Sequence, residues 1–124
     1  MENQNKKGVR RLIFATGYSL EGFKAAFKNE TAFRQEMALT AVMIPAGLWL
    51  GATSVERALL IASCLMVLIV ELLNSAVEAV VDRVGLEHHL LSKQAKDMGS
   101  AAVLLSLVLT FIVWGLNAWE RLIG

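Results

Sequence analysis

The stretch Glu71-Leu72-Leu73-Asn74-Ser75-Ala76-Val77-Glu78-Ala79-Val80-Val81-Asp82 decides how this chain is read. Glu71, Asn74, Ser75 and Glu78 fall at i, i+3, i+4 and i+7, which places them on one helical face. Asp82 continues the stripe at i+11. From Ala58 to Val81 the only charges are Glu71 and Glu78. A bilayer-spanning helix needs about 20 mostly apolar residues, and this run supplies them. A carboxylate at membrane depth costs about 2.5–3.5 kcal/mol even on the mild insertion scale. Two on one face must therefore meet protein, a cation or a water-filled cleft. A protonated pair bridging two helices is the structural alternative. Intramembrane ionisable residues more often mark a functional site.

The rest of the chain agrees with a membrane setting. In 124 residues, 56% are apolar, 19% are charged and the mean hydropathy is +0.54. Soluble domains carry about 25% charged residues. The length allows one domain, residues 1–124. Twelve basic residues balance eleven acidic ones, so the basic excess that a nucleic-acid partner demands is missing. The composition also excludes disorder, a collagen-like fibre and a disulfide scaffold. The single Cys64 lies among Ala62, Ser63, Leu65 and Met66 and reads as a packing residue.

Three spans are expected: residues 31–52, 58–81 and 98–119. The first contains Pro45 and needs its start at Thr31 to reach full length. Its late position argues against a cleaved leader. Lys6, Lys7, Arg10, Arg11, Lys24, Lys28 and Arg34 precede or open it, and Arg83, Lys93 and Lys96 fall in the 82–97 loop. Only Arg57 and Arg121 lie on the other side. The positive-inside rule then makes the N-terminus and the 82–97 loop cytoplasmic and the C-terminus external. Trp49 and Trp119 would share the outer interface, where tryptophan is favoured. Residues 1–29 mix Val9, Leu12, Ile13, Phe23 and Phe27 with basic residues, as in an amphipathic helix on the cytoplasmic surface. Gly17 and Gly22 are its potential break points.

Along the 58–81 span, Glu71 and Glu78 are separated by roughly 10 Å. Glu78 lies near the inner interface, within reach of an aqueous metal or phosphate, and Glu71 lies about two turns deeper. Glu30 and Glu78 are hard oxygen ligands suited to magnesium, which takes one or two carboxylates plus substrate phosphates. Lys96 and Arg11 suit phosphate. His88 and His89 have no cysteine cluster to make a zinc site. No glycine-rich phosphate loop occurs, so a nucleotide would bind by another design. Three helices cannot easily enclose a polar stripe, so oligomerisation is expected.

Three segments resemble the prokaryotic integral-membrane diacylglycerol kinases. They are Asn29-Glu30-Thr31-Ala32-Phe33-Arg34-Gln35-Glu36, the run from Glu71 to Arg83, and Ala95-Lys96-Asp97-Met98-Gly99-Ser100-Ala101-Ala102. The resemblance implies an all-α membrane protein: three transmembrane helices plus an N-terminal amphipathic surface helix, in a homotrimeric helix bundle of the bacterial inner membrane. It implies ATP-dependent transfer of the γ-phosphate of Mg-ATP to diacylglycerol, giving phosphatidate, with Mg2+ as cofactor and membrane lipids around the bundle. Glu71 would be the general base, supported by Asn74, and Glu30 and Glu78 would hold magnesium. ATP would meet Arg11, Tyr18, Glu30, Glu78, Glu87, His88, His89, Lys96 and Asp97. The lipid would meet Ala15, Thr16, Gly17, Tyr18, Ser19, Leu20, Arg34, Glu36, Glu71 and Ser100. His88 stands where the family often has an aromatic residue. The competing readings are an undecaprenol or other polyprenol kinase of the same fold, and a small proton-coupled transporter built around an intramembrane glutamate.

Overall fold

The computed structural model describes residues 4–85 and 89–124. They form four helices: α1 (Gln4–Asn29), α2 (Thr31–Leu50), α3 (Ser54–Val84) and α4 (Leu90–Leu122). Among the described residues there is no strand. The all-helical expectation holds.

α1 runs unbroken through Gly17 and Gly22. A helical glycine costs only about 1 kcal/mol relative to alanine, too little to end a helix of this length. Of its described side chains only Ala26 is buried. The helix meets α2 near its C-terminal end, where the Phe23 and Phe33 rings lie 6.4 Å apart. Glu30 alone separates α1 from α2, in an extended conformation with φ −118° and ψ 108°.

α2 continues through Pro45, which lacks the N–H its place in the helix would use. Its C-terminal end is tied by the Arg57 Nε, which donates to the Leu48 carbonyl at 3.0 Å. Thr53 caps α3. Its Oγ1 accepts from the Glu56 N–H at 3.2 Å and donates to the Glu56 carboxylate at 3.0 Å. This reciprocal pairing satisfies one of the backbone donors that a helix start leaves free.

α3 and α4 form an antiparallel hairpin. Leu60 and Ser63 face Trp114 and Thr110, Asn74 faces Gly99, and Asp82 faces Lys96. α3 also packs along α2, whereas α2 barely meets α4. At the far end the Arg121 guanidinium sits 5.6 Å from the Trp49 ring centroid, joining the C-terminal ends of α4 and α2.

Helices extend beyond the expected spans. Most of the stretch read as an 82–97 loop is helical, because α3 reaches Val84 and α4 starts at Leu90. The His89 Nδ1 caps α4 by accepting from the Leu91 N–H at 3.0 Å. Lys93 and Asp97 then pair at i, i+4 with 2.7 Å between charges, which supports a solvated helical turn. Apolarity limits what can sit in lipid, not where a helix must end.

α3 and α4, at 31 and 33 residues, are long and apolar enough to cross a membrane. α2 is less apolar because Arg34, Gln35 and Glu36 lie in its first two turns. The core is small: Phe33 and Leu60 are fully buried, joined by Leu50, Cys64 and Val67. Phe111 is 82% exposed and Leu105 69% exposed. Apolar surface on this scale requires lipid or other subunits against it.

Candidate active site

Glu71 is only 8% exposed, although most of the large apolar side chains around the bundle are open. A buried carboxylate is costly unless something compensates it. Glu36, Glu30 and Glu78 lie within electrostatic reach of Glu71. Four carboxylates from α2, the α1–α2 elbow and α3 thus gather at one side of the chain. Among the described residues the salt bridges are Lys93–Asp97 and Lys96–Asp82, and none engages these four glutamates. Lys96 lies within electrostatic reach of Glu78, and a cation brought to the other carboxylates would be bound favourably.

Glu30 and Glu78 are half-buried, and so present carboxylates that solvent reaches. Among the described residues no three His, Cys, Asp or Glu side chains converge into a complete metal site. Two carboxylates such as Glu30 and Glu78 would fit magnesium, which takes one or two of them and completes its shell with water and substrate phosphates.

Asn74 stands one turn from Glu71 on the same face of α3. Its Oδ1 is buried and has no hydrogen-bond partner. It rests directly against Gly99 of α4, so closely that a Cβ on Gly99 would collide with it. Gly99 is therefore what lets α4 approach the carboxylate face. An orphaned buried acceptor costs about 1–3 kcal/mol, so a donor brought there would be bound favourably.

The basic residues lie toward the same end of the hairpin. The Lys96 ammonium is 2.8 Å from the Asp82 carboxylate. The hydrogen bond to Asp82, and then the charge of that carboxylate, push Lys96 above the ordinary lysine range. Asp97 pairs with Lys93 in the same way and raises it. His89 is spent as the α4 cap through one ring nitrogen. Glu87 and His88 lie outside the described residues.

The α1 residues do not join the carboxylates within one chain. Arg11 and Tyr18 are exposed, with Tyr18 stacked on Phe14 at 6.5 Å between centroids. By helix rise they lie roughly 28 and 18 Å along α1 from the elbow. Thr16 and Ser19 turn their hydroxyls back to the Leu12 and Ala15 carbonyls, both at 2.8 Å. Ala15, Gly17 and Leu20 are exposed, and Ser100 is exposed on α4. Arg34 faces the elbow. Its Nη1 donates to the Phe27 and Lys28 carbonyls at 2.7 and 3.1 Å, and its Nη2 to the Thr31 hydroxyl at 3.1 Å.

Glu36 also borders a cleft of about 470 Å³ between α2, α3 and α4, lined mainly by apolar side chains such as Met43, Val67 and Phe111. Thr110 and Trp114, which line this cleft, belong to a polar seam between α3 and α4 that the sequence alone did not single out. The Trp114 Nε1 lies 3.2 Å from both the Leu60 carbonyl and the Ser63 hydroxyl. The Thr110 hydroxyl lies 3.0 Å from the Ser63 carbonyl. Ser106, Thr110 and Trp114 recur every four residues, and that spacing was the available signal.

Comparison with known proteins bears on the chemistry of this arrangement. A profile of the family described as "Prokaryotic diacylglycerol kinase" matches residues 17–117. A diacylglycerol kinase of Pseudomonas aeruginosa is 56% identical over 111 residues, covering 90% of each chain. One of Haemophilus influenzae is 56% identical over 108 residues, covering 87% of this chain and 92% of the other. One of Escherichia coli K12 is 50% identical over 117 residues, covering 94% and 96%.

Proposed function

This chain belongs to the prokaryotic diacylglycerol kinase family, and from that premise we propose that it transfers the γ-phosphate of Mg-ATP to the free hydroxyl of diacylglycerol, releasing phosphatidate and ADP. The observation that carries the site assignment is the buried Glu71 with three further carboxylates in electrostatic reach and, among the described residues, no salt bridge to any of the four.

Glu71 accepts the proton of the lipid hydroxyl as that oxygen bonds to the γ-phosphorus. The bond from phosphorus to the bridging oxygen of the leaving ADP breaks in the same displacement. Phosphoryl transfer asks mainly for positioning and charge neutralisation, and little covalent chemistry from the protein. Asn74 supports Glu71 from one turn away. Lys96, Asp97, His88, His89 and Glu87 form the nucleotide side together with Arg11 and Tyr18. Ala15–Leu20, Arg34, Glu36 and Ser100 form the lipid side. Glu30 and Glu78 would hold Mg2+, which would supply charge neutralisation for the phosphates.

The active assembly is a homotrimer in the bacterial inner membrane, with α2, α3 and α4 spanning it. The single chain leaves its apolar flanks bare and its α1 residues far from Glu71, which a neighbouring subunit would remedy. The N-terminus and residues 82–97 are cytoplasmic and the C-terminus is external. Support comes from the basic residues of α1, from Arg83, Lys93 and Lys96 at the facing ends of α3 and α4, and from Trp49 and Trp119 at the opposite end.

The test is purified protein in mixed micelles with labelled ATP and either diacylglycerol or undecaprenol, run beside Glu71→Gln. Labelled phosphatidate from the parent chain, and none from the variant, is the expected result. Preferential labelling of undecaprenol would overturn the substrate. Full activity of the variant would remove Glu71 from its role.

A further inference from the structure

We infer that Arg34 is a positioning residue for the metal: it clamps the elbow between α1 and α2 and so sets the direction in which Glu30 presents its carboxylate. The inference rests on the reading of Glu30 as a magnesium ligand.

Glu30 is the sole residue between two helices and has extended backbone angles, so its direction depends on the angle at which α1 leaves α2. The Glu30 N–H reaches the Ala26 carbonyl at 2.8 Å, and the Glu30 carbonyl receives the Arg34 N–H at a longer 3.2 Å. The last carbonyls of α1 have no helical partner of their own. The Arg34 guanidinium supplies one. It bridges the Phe27 and Lys28 carbonyls on one side of the elbow and the Thr31 hydroxyl on the other. One rigid, planar group thus ties both sides of Glu30.

The charge is also well placed. A cation at a helix C-terminus is stabilised by the helix dipole, and hydrogen bonds from an ionised donor are stronger than neutral ones. Lysine has the charge but not the fork, so it cannot span the three acceptors at once. Groups that orient a metal ligand without touching the metal typically contribute 10–100-fold to its affinity.

The experiment compares Arg34→Lys, Arg34→Gln and Thr31→Val with Glu30→Gln in the full-length protein. Two quantities are read: binding of Mn2+ by electron paramagnetic resonance with a non-hydrolysable ATP analogue, and the Michaelis constant for diacylglycerol. Arg34→Gln is expected to weaken Mn2+ about tenfold, with Arg34→Lys and Thr31→Val intermediate, a larger change than any in the lipid constant. Far-ultraviolet circular dichroism checks that each variant keeps its helices, and Thr31→Val serves if Arg34→Gln does not fold. If Glu30→Gln weakens Mn2+ but the Arg34 and Thr31 variants do not, the positioning role is refuted and the ligand assignment stands. If Glu30→Gln leaves Mn2+ binding unchanged, the ligand assignment itself fails. A rise in the lipid constant with unchanged Mn2+ binding would make Arg34 a lipid contact and overturn the inference.

Discussion

Replacing Gly99 by alanine tests how closely α3 and α4 approach at the catalytic face. Two effects oppose each other. Alanine in a helix interior is favoured over glycine by about 0.5–1 kcal/mol. The new methyl, however, lands on the Asn74 Oδ1, which is buried and has no space prepared for it. Overpacking of this kind costs about 1–3 kcal/mol. The collision outweighs the propensity gain, leaving a net loss of about 1 kcal/mol. Relief requires Asn74 to swing away or α4 to move outward, and either disturbs the residue one turn from Glu71. A fall in kcat of at least about tenfold is expected, equivalent to about 1.4 kcal/mol of barrier. Stability is read by SDS titration in micelles and kcat by the labelled-lipid assay. The double variant Gly99→Ala/Asn74→Ala carries the decisive information. With the amide removed, the added methyl should have little further effect on kcat, so the two losses should be strongly non-additive. A Gly99→Ala protein that is more stable than its parent and equally active would show that the helices are not in contact here. Fully additive losses would refute the coupling.

Other expectations are simpler to check. Glu78→Gln should raise the Mg2+ concentration needed for half-maximal turnover while leaving the helical content intact; an unchanged titration would argue against ligation. Trp114→Phe removes a donor shared by the Leu60 carbonyl and the Ser63 hydroxyl, and should destabilise the hairpin by about 1 kcal/mol in SDS titration. Leu60 lies roughly 16 Å along α3 from Glu71, so kcat should change little. Asp82→Asn removes the group that pushes Lys96 upward. Because the folded-state value is raised, that contribution is present below the ordinary lysine range and is lost only as pH rises through the elevated one. The pH–rate profile of Asp82→Asn should therefore bring forward any alkaline loss due to Lys96 and leave the neutral region alone.

The parts of the fold legible in the sequence were those set by apolar length. The helical class, the start of α2 at Thr31 and the shared face of Glu71, Asn74 and Glu78 all follow from spacing. The ends of α3 and α4 were less legible, because polar residues that pair within a helix resemble polar residues of a loop. Lys93, Asp97 and the His89 cap are examples. Gly99 and Asn74 could each be singled out as motif members, but their contact depends on the register between two helices. Arg34 presents the clearest contrast. The resemblance implied a lipid contact, and only the turn of the chain reveals acceptors from Phe27, Lys28 and Thr31 around it.

α3 packs along both α2 and α4, and it also bears the most buried acidic side chain among the described residues. Its circumference is claimed by α2, by α4 and by the reacting groups at once. In a saturation library selected for growth that depends on the enzyme, α3 should accept the fewest amino-acid types per position, whereas the outward flank of α4 should drift freely among greasy residues. Sequence divergence would then be unevenly shared along so short a chain, with the third helix setting its pace.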